Sequence, residues 1–380
     1  MRMPHRTVAF LILLLAVAAP GQAQTYAAAA DLLFYGDNTE FVNPFREGET
    51  LLGVSGRVYL DITVNDTVKI RGGVFGLGRF GSHEFLEQGE PMIALELSRG
   101  TSRFVFGSLE TVTTRHDVAG PDRETLHGLL PPLQAETLTF SRGQELGLQW
   151  LVNAPRVDHD AWIDWQRLNT TEHRERFDAG YRASVRLAPE LRLESQWHVV
   201  HEGGQQYDIG PVSDSHAIAL GLEWSRTIRR VGIVLDGHGV VTHHVPDRKQ
   251  LALNEDGLGV FARGAFSHGP WRTHLIVWRG RDTLKEEGDA NYLAVRTNGT
   301  IFRPLRDYAE LGLTRQFHPA PGVDLFAAVR LHLVETHWAY SYRVVGRVTL
   351  RRQLSSHVKT PCVGAIEPNP RTASRSSSWS

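Results

Sequence analysis

The sequence predicts an all-β chain, a transmembrane antiparallel up-and-down β-barrel of about sixteen strands. Three observations predict it. Apolar side chains recur with a period of two over long stretches. The connections between those stretches alternate between short and long. Beyond the N-terminal segment no apolar run reaches the ~20 residues that a spanning helix needs.

The alternation is clearest over residues 177–187. Phe177, Ala179, Tyr181, Ala183, Val185 and Leu187 are apolar, and Asp178, Gly180, Arg182, Ser184 and Arg186 fill the positions between them. A strand sends alternate side chains to opposite faces, so one face is apolar and the other polar. After Pro189 the pattern resumes with Leu191, Leu193, Trp197 and Val199 against Arg192, Glu194 and His198, which predicts a hairpin. Val54, Val58, Leu60 and Ile62 alternate with Arg57 and Asp61, and Val68 and Ile70 with Lys69 and Arg71. Near the C-terminus Val323, Leu325, Val329 and Leu331 oppose Asp324, Arg330 and His332. Tyr340, Tyr342, Val344 and Val348 oppose Arg343, Arg347 and Arg351.

Extending this reading places strands near 26–36, 49–63, 67–80, 91–98, 102–110, 137–152, 158–167, 174–187, 191–201, 215–225, 230–242, 257–267, 270–279, 306–317, 322–334 and 338–354. The first is the weakest, because Ala27 to Ala30 shows no alternation. Short turns fall near 64–66, 99–101, 153–157, 188–190, 226–229, 268–269 and 318–321. Longer connections fall near 37–48, 81–90, 111–136, 202–214, 243–256 and 280–305, with 168–173 and 335–337 as short exceptions. An even strand number returns both ends of the barrel to one side of the membrane. Soluble sandwiches also alternate, but their strands are usually ~5–6 residues long. Closure removes the unpaired edge that a bilayer forbids.

Composition agrees. Of 380 residues, 22% are charged and 41% hydrophobic, which excludes both a polytopic helical membrane protein and bulk disorder. Lys and Arg number 41 against 42 Asp and Glu, so no charge excess points to nucleic acid. One cysteine, Cys362, excludes a disulfide scaffold and a Cys-rich metal site. Residues 1–23 read as a secretory signal peptide. Arg2, His5 and Arg6 form its basic region, Ala9 to Ala19 its apolar region, and Gly21-Gln22-Ala23 its cleavage site. Residues 24–354 are then the barrel. Residues 355–380, rich in Ser, Pro and Arg, are a disordered tail.

These features together resemble a Gram-negative outer-membrane porin or related pore. The resemblance is architectural, covers residues 24–354, and identifies no subfamily. It implies a location in the outer membrane, contact with outer-membrane lipid, insertion by the outer-membrane assembly machinery, and a lumen for small polar solutes. The expected function is passive diffusion or export of small polar or anionic solutes, saccharides among them. The inward positions chosen as pore-lining are Arg57, Asp61, Arg71, Asp178, Arg182, Arg186, Arg192, Glu194, Asp236, Arg330, Arg343, Arg347 and Arg351. Such charges either bias permeation or pair with one another, and both readings stay open. Tyr59, Trp162, Phe261, Trp278, Tyr308 and Phe326 also point inward, where they stack on sugars or on loops folded into the lumen. Trp150, Trp197, Trp224, Trp271 and Tyr342 point outward as interfacial girdle residues. Segment 111–136, with Gly120-Pro121 and Pro131-Pro132, is the candidate constriction.

No catalytic set emerges, so the chain is expected not to be an enzyme. Gly76-Leu77-Gly78-Arg79-Phe80-Gly81 matches a dinucleotide fingerprint but lacks the helix that must follow. Ser215 and His216 are strand neighbours and point apart, so they form no nucleophile–base pair. Asp236 and His238 share a face without a serine. His198 and His201 lie on opposite faces, and His243-His244 belongs to an external loop. None has metal-ligand spacing, and no cofactor is expected. Two alternatives remain: a soluble exported β-protein that binds carbohydrate, and a barrel enzyme acting on lipid.

Overall fold

The structure, a computed structural model, describes residues 25–43, 45–84, 86–112, 125–297 and 301–354. The expected signal peptide and tail lie outside these residues. The strands are β1 (Thr25–Asn43), β2 (Arg46–Thr63), β3 (Val68–Arg79), β4 (Gln88–Arg99), β5 (Ser102–Ser108), β6 (Leu146–Asn153), β7 (Val157–Arg167), β8 (Glu175–Ala188) and β9 (Leu191–Gly203). They continue with β10 (Ser213–Ile228), β11 (Val231–Val245), β12 (Glu255–His268), β13 (Trp271–Arg281), β14 (Val295–Thr297), β15 (Ile301–Arg303), β16 (Leu305–Ala320), β17 (Val323–Val334) and β18 (His337–Leu354). A single helical turn, α1 (Leu138–Ser141), precedes β6. All but β14 and β15 join one closed antiparallel barrel of sixteen strands, sealed by β1 against β18. The small pair β14–β15 sits within the connection after β13.

The apolar face looks outward. Val58, Val74, Ile93, Phe106, Leu220, Val260, Leu311 and Val344 are exposed around the outer wall. So broad an apolar surface is stable only against lipid. Trp150, Trp271 and Tyr342 are exposed on the same face. Thr25, Thr63 and Leu354 meet at one end, where the connections are tight. We take this as the periplasmic end by the usual barrel rule. Gly100 turns there with φ +59°, a backbone that other residues adopt at a cost. The long connections all leave the opposite, external end.

Three expectations change. The predicted connection 37–48 is strand: β1 and β2 run on to Asn43 and Arg46, paired across a tight hairpin with a register shift between Thr39 and Val42. Polar residues at the external end of a barrel hide strands from a hydrophobicity pattern. β1, read as weakest, is paired along nearly its whole length on both sides, so closure rather than alternation fixes it. The predicted strand 137–152 begins only at Leu146, because 138–141 is α1. His243 and His244, expected in a loop, belong to β11.

The external half of the lumen is filled. Residues 125–145 fold inward and bury Leu126, Leu129, Leu130 and Leu133. The backbone of Leu130 donates to Gln196 (2.8 Å). The connection after β13 enters beside it: Ala135 N donates to Glu287 O (2.6 Å) and Asp289 N to Pro131 O (2.9 Å). These loops pack with Phe41, Phe45, Trp162, Phe261, Trp278, Tyr292 and Tyr308 into one apolar cluster inside the barrel. Trp162, Phe261, Trp278 and Tyr308 thus face loops, whereas Tyr59 packs on the wall with Phe75 and Met92. Trp162 stacks on His127 at 3.7 Å, and Tyr292 meets Trp278 at 5.7 Å and Tyr308 at 4.7 Å. Segment 111–136 is a constriction as far as it is described.

Candidate functional site

The most organised chemistry lies on β16, β17 and β18 near the external end. Only Glu335 and Thr336 join β17 to β18, and this turn sets Val334 opposite His337. The register that follows puts Arg330 opposite Ser341 and His332 opposite Ala339. Glu310 of β16 lies opposite His332. The period of two turns all of these side chains to the lumen. Glu335 holds the turn in a left-handed conformation (φ +54°). That costs about 1–2 kcal/mol, and Glu335 recovers contacts to Asp307 O (2.8 Å) and Arg306 (3.3 Å).

The side chains form a continuous hydrogen-bonded chain. Tyr308 donates its phenol to Glu310 Oε2 (2.5 Å). Tyr308 oxygen is also 2.8 Å from His332 Nδ1. Because its hydrogen is committed to Glu310, it accepts from Nδ1–H. His332 Nε2 then carries the lone pair, and it lies 2.8 Å from Ser341 Oγ. Glu310 Oε2 is 3.4 Å from His332 Nδ1, and Oε1 is 2.7 Å from His274 Nε2. The His274 ring lies where a side chain on Gly312 would be, 2.1 Å from that Cβ position. Ser341, His332, Tyr308 and Glu310 are all buried. A serine on an imidazole that is itself oriented through a carboxylate is the arrangement that activates a nucleophile. Arg330 and Arg343 flank it, both held by Glu136 of the inward loop (2.7 and 3.1 Å). Phe41 packs on the His332 ring at 4.9 Å.

A family model described as lipid A 3'-O-deacylase-type matches residues 18–355. The chain belongs to this deacylase-type family. The expectation of a non-enzyme is therefore corrected, since the family is one of enzymes. The residues able to act come from separate strands, and only strand register brings them together. Comparison with functionally curated proteins finds none that matches. Among solved structures the fold is similar to a loop-deletion form of OmpT from Vibrio cholerae, with TM-score 0.55 and 13% identity over 87% of this chain and all of that one. In-vitro folded OmpT gives TM-score 0.53 and 12% identity over 88% and 100%. OpdL of Pseudomonas aeruginosa gives 0.50 and 13% over 86% and 99%. At such identities the likeness is one of fold, an outer-membrane barrel.

Most of the residues chosen as pore-lining do face the lumen of this deacylase-type barrel, and most are paired. Arg57 donates to Gly143 O (2.6 Å). Asp61 accepts from Arg71 (2.7 Å) and Arg351 (3.2 Å). Asp178 accepts from Trp162 and Arg142 (both 3.0 Å). Arg182 bridges Asp158 (2.8 Å) and Glu194 (3.5 Å). Arg192 donates to Ser184 (3.2 Å), and Asp236 accepts from Arg263 (2.8 Å). Arg343 binds Asp37 (2.8 Å), and Arg347 lies over Phe326 (5.8 Å). Arg186 is exposed near the periplasmic mouth. Of this set only Arg330 and Arg343 border the serine. Ser341, His332, Tyr308 and Glu310 were missed as a set. The signal was available in the short 335–337 connection, from which the register of His332 and Ser341 can be counted. Ser215 is buried and turned inward, away from His216, and Gly76 to Gly81 runs from strand into turn, as read.

Proposed function

We propose that this chain hydrolyses an acyl ester of a lipid A-type glycolipid, with Ser341 as nucleophile and His332 as general base. The observation that carries the reading is the hydrogen-bonded chain Ser341–His332–Tyr308–Glu310. Ser341 Oγ attacks the ester carbonyl while its proton passes to His332 Nε2. The imidazolium is held by Tyr308 and the Glu310 carboxylate. The C–O bond breaks, the sugar hydroxyl leaves with that proton, and the acyl group stays on Ser341. Water, deprotonated by the same imidazole, then releases the fatty acid. Arg330 and Arg343 supply positive potential where the oxyanion forms. The apolar cluster within the lumen suits an acyl chain and does not suit an open path for polar solutes. Ser341 is buried, so substrate entry needs a movement of its cover, for which the β1–β2 hairpin tip, with Phe45 beside His337 at 5.6 Å, is placed. Phe45 there lies under Arg306 at 4.0 Å, and Arg46 is tied to Asp289 at 3.2 Å. Lid movements of this kind accompany many hydrolases.

The test is full-length protein in detergent micelles incubated with purified lipopolysaccharide, with mass spectrometry of the lipid A. Loss of one acyl chain, abolished in Ser341→Ala, is the expected result. Fatty-acid release that survives Ser341→Ala would reject the serine.

A second reading is the passive pore. It is favoured by the sixteen-stranded closed wall and its charged periplasmic half, where Arg186 and Arg351 are exposed. In both readings the apolar belt meets outer-membrane lipid, and the assembly machinery inserts the barrel. Ohmic conductance in planar bilayers without deacylation would favour the pore. Replacing Arg343, Arg347 and Arg351 together would then lower its anion preference.

A further inference from the structure

Remote from Ser341 in the strand order, Asp178 of β8, His198 of β9 and Glu287 of the second inward loop bring one ligand atom each to within 4.8 Å of one another. His198 is fully buried. Its Nδ1 is 2.9 Å from the carbonyl oxygen of Leu133. A carbonyl accepts only, so Nδ1 carries the hydrogen, and in the neutral ring Nε2 presents a lone pair. Nε2 lies 3.0 Å from Asp178 Oδ2 but out of line for a hydrogen bond, and it has no hydrogen-bond partner among the described residues. Glu287 Oε2 is also buried without a hydrogen-bond partner there.

The neighbouring cations share Asp178 Oδ2 and take Glu287 Oε1, and they leave His198 Nε2 and Glu287 Oε2 without a hydrogen bond among the described residues. Arg142 reaches Asp178 Oδ2 (3.0 Å) and Glu287 Oε1 (2.5 Å). Arg176 reaches Glu287 Oε1 (3.0 Å) and Glu286 (2.7 Å). Lys285 turns to the carbonyl of Glu286 (2.5 Å).

We propose that Asp178, His198 and Glu287 bind a divalent transition metal of the zinc class, which clamps both inward loops to the wall. One imidazole with two carboxylates is a zinc-type donor set, whereas calcium and magnesium take oxygens. The outer contacts are those a metal site uses. A backbone carbonyl fixes the imidazole through Nδ1, and Trp162 Nε1 orients Asp178 Oδ1 (3.0 Å). Leu133 belongs to the first loop and Glu287 to the second, so the ion would join both to β8 and β9.

The test is calorimetric titration of chelator-treated full-length protein in micelles with zinc chloride, and separately with calcium chloride. One zinc per chain is expected, with a raised unfolding temperature. His198→Gln and Glu287→Gln should each weaken zinc binding by more than about a hundredfold. Folding of each variant is checked by heat-modifiable gel migration. No stoichiometric zinc on the wild-type chain, zinc binding unchanged in both folded variants, or a preference for calcium would overturn the proposal.

Discussion

On β17, His332 has the Ser341 hydroxyl against one nitrogen and the Tyr308 phenol against the other, at 2.8 Å each. In the first inward loop, His127 has a carboxylate against each nitrogen, Glu145 at 2.7 Å and Asp160 at 3.1 Å. Both rings are buried in the same lumen and both stand near acids. Two flanking carboxylates ask both ring nitrogens to donate, so His127 is an imidazolium with no lone pair to take a proton. Two flanking hydroxyls, one already donating to Glu310, leave one nitrogen of His332 as an acceptor aimed at serine. Proximity of histidine to acid is therefore no guide to catalysis. The guide is which nitrogen remains an acceptor.

This contrast breaks most directly at the two rings. Ser341→Ala and His332→Ala should each lower deacylation by about a thousandfold or more, read as product per minute by mass spectrometry. His127→Ala should leave the chemistry in place. It strands Glu145 and Asp160 without their cation, at about 3–5 kcal/mol, read as a lower heat-modification midpoint. Equal loss of turnover in folded Ser341→Ala and His127→Ala would mean that the rings do not differ as argued.

Smaller effects sharpen the picture. Glu310→Gln keeps the shape but removes the charge that stabilises the imidazolium. Turnover should fall about a hundredfold or more with little change in KM. Glu136→Gln loosens the inward loop from Arg330 and Arg343. It should raise bilayer conductance above the wild-type level, because a salt-bridged loop end is released into a wide lumen.

Why the wall was legible and the site was not follows from the range of each signal. Val58, Val74, Leu220 and Val344 must meet lipid, so the period of two survives in the sequence, and strand number and turn positions follow from it. Glu310, His332 and Ser341 are separated by whole strands, and their meeting depends on a register that two residues, Glu335 and Thr336, set. Asp178 and Glu287 are farther apart still, and they are joined only when a loop folds into the barrel. The segment 37–48 was misread because polar side chains at the external end no longer report lipid.

The least dramatic test concerns pH and follows from His127 alone. Burial opposes its protonation, but Glu145 and Asp160 outweigh burial and push its pKa up from 6.5 to about 10. A group whose pKa is higher folded than unfolded stabilises the fold fully below the unfolded value, and that contribution fades as pH rises through the folded value. Loop anchoring by His127 is thus complete below about pH 6.5 and declines toward pH 10. The heat-modification midpoint of the wild-type protein should fall across that window. In His127→Gln the midpoint should start lower and fall less, because no proton is left to lose at this position. Parallel decline in the two proteins would place the titrating group elsewhere and remove the charge from His127, and with it the distinction between a clamping histidine and a catalytic one.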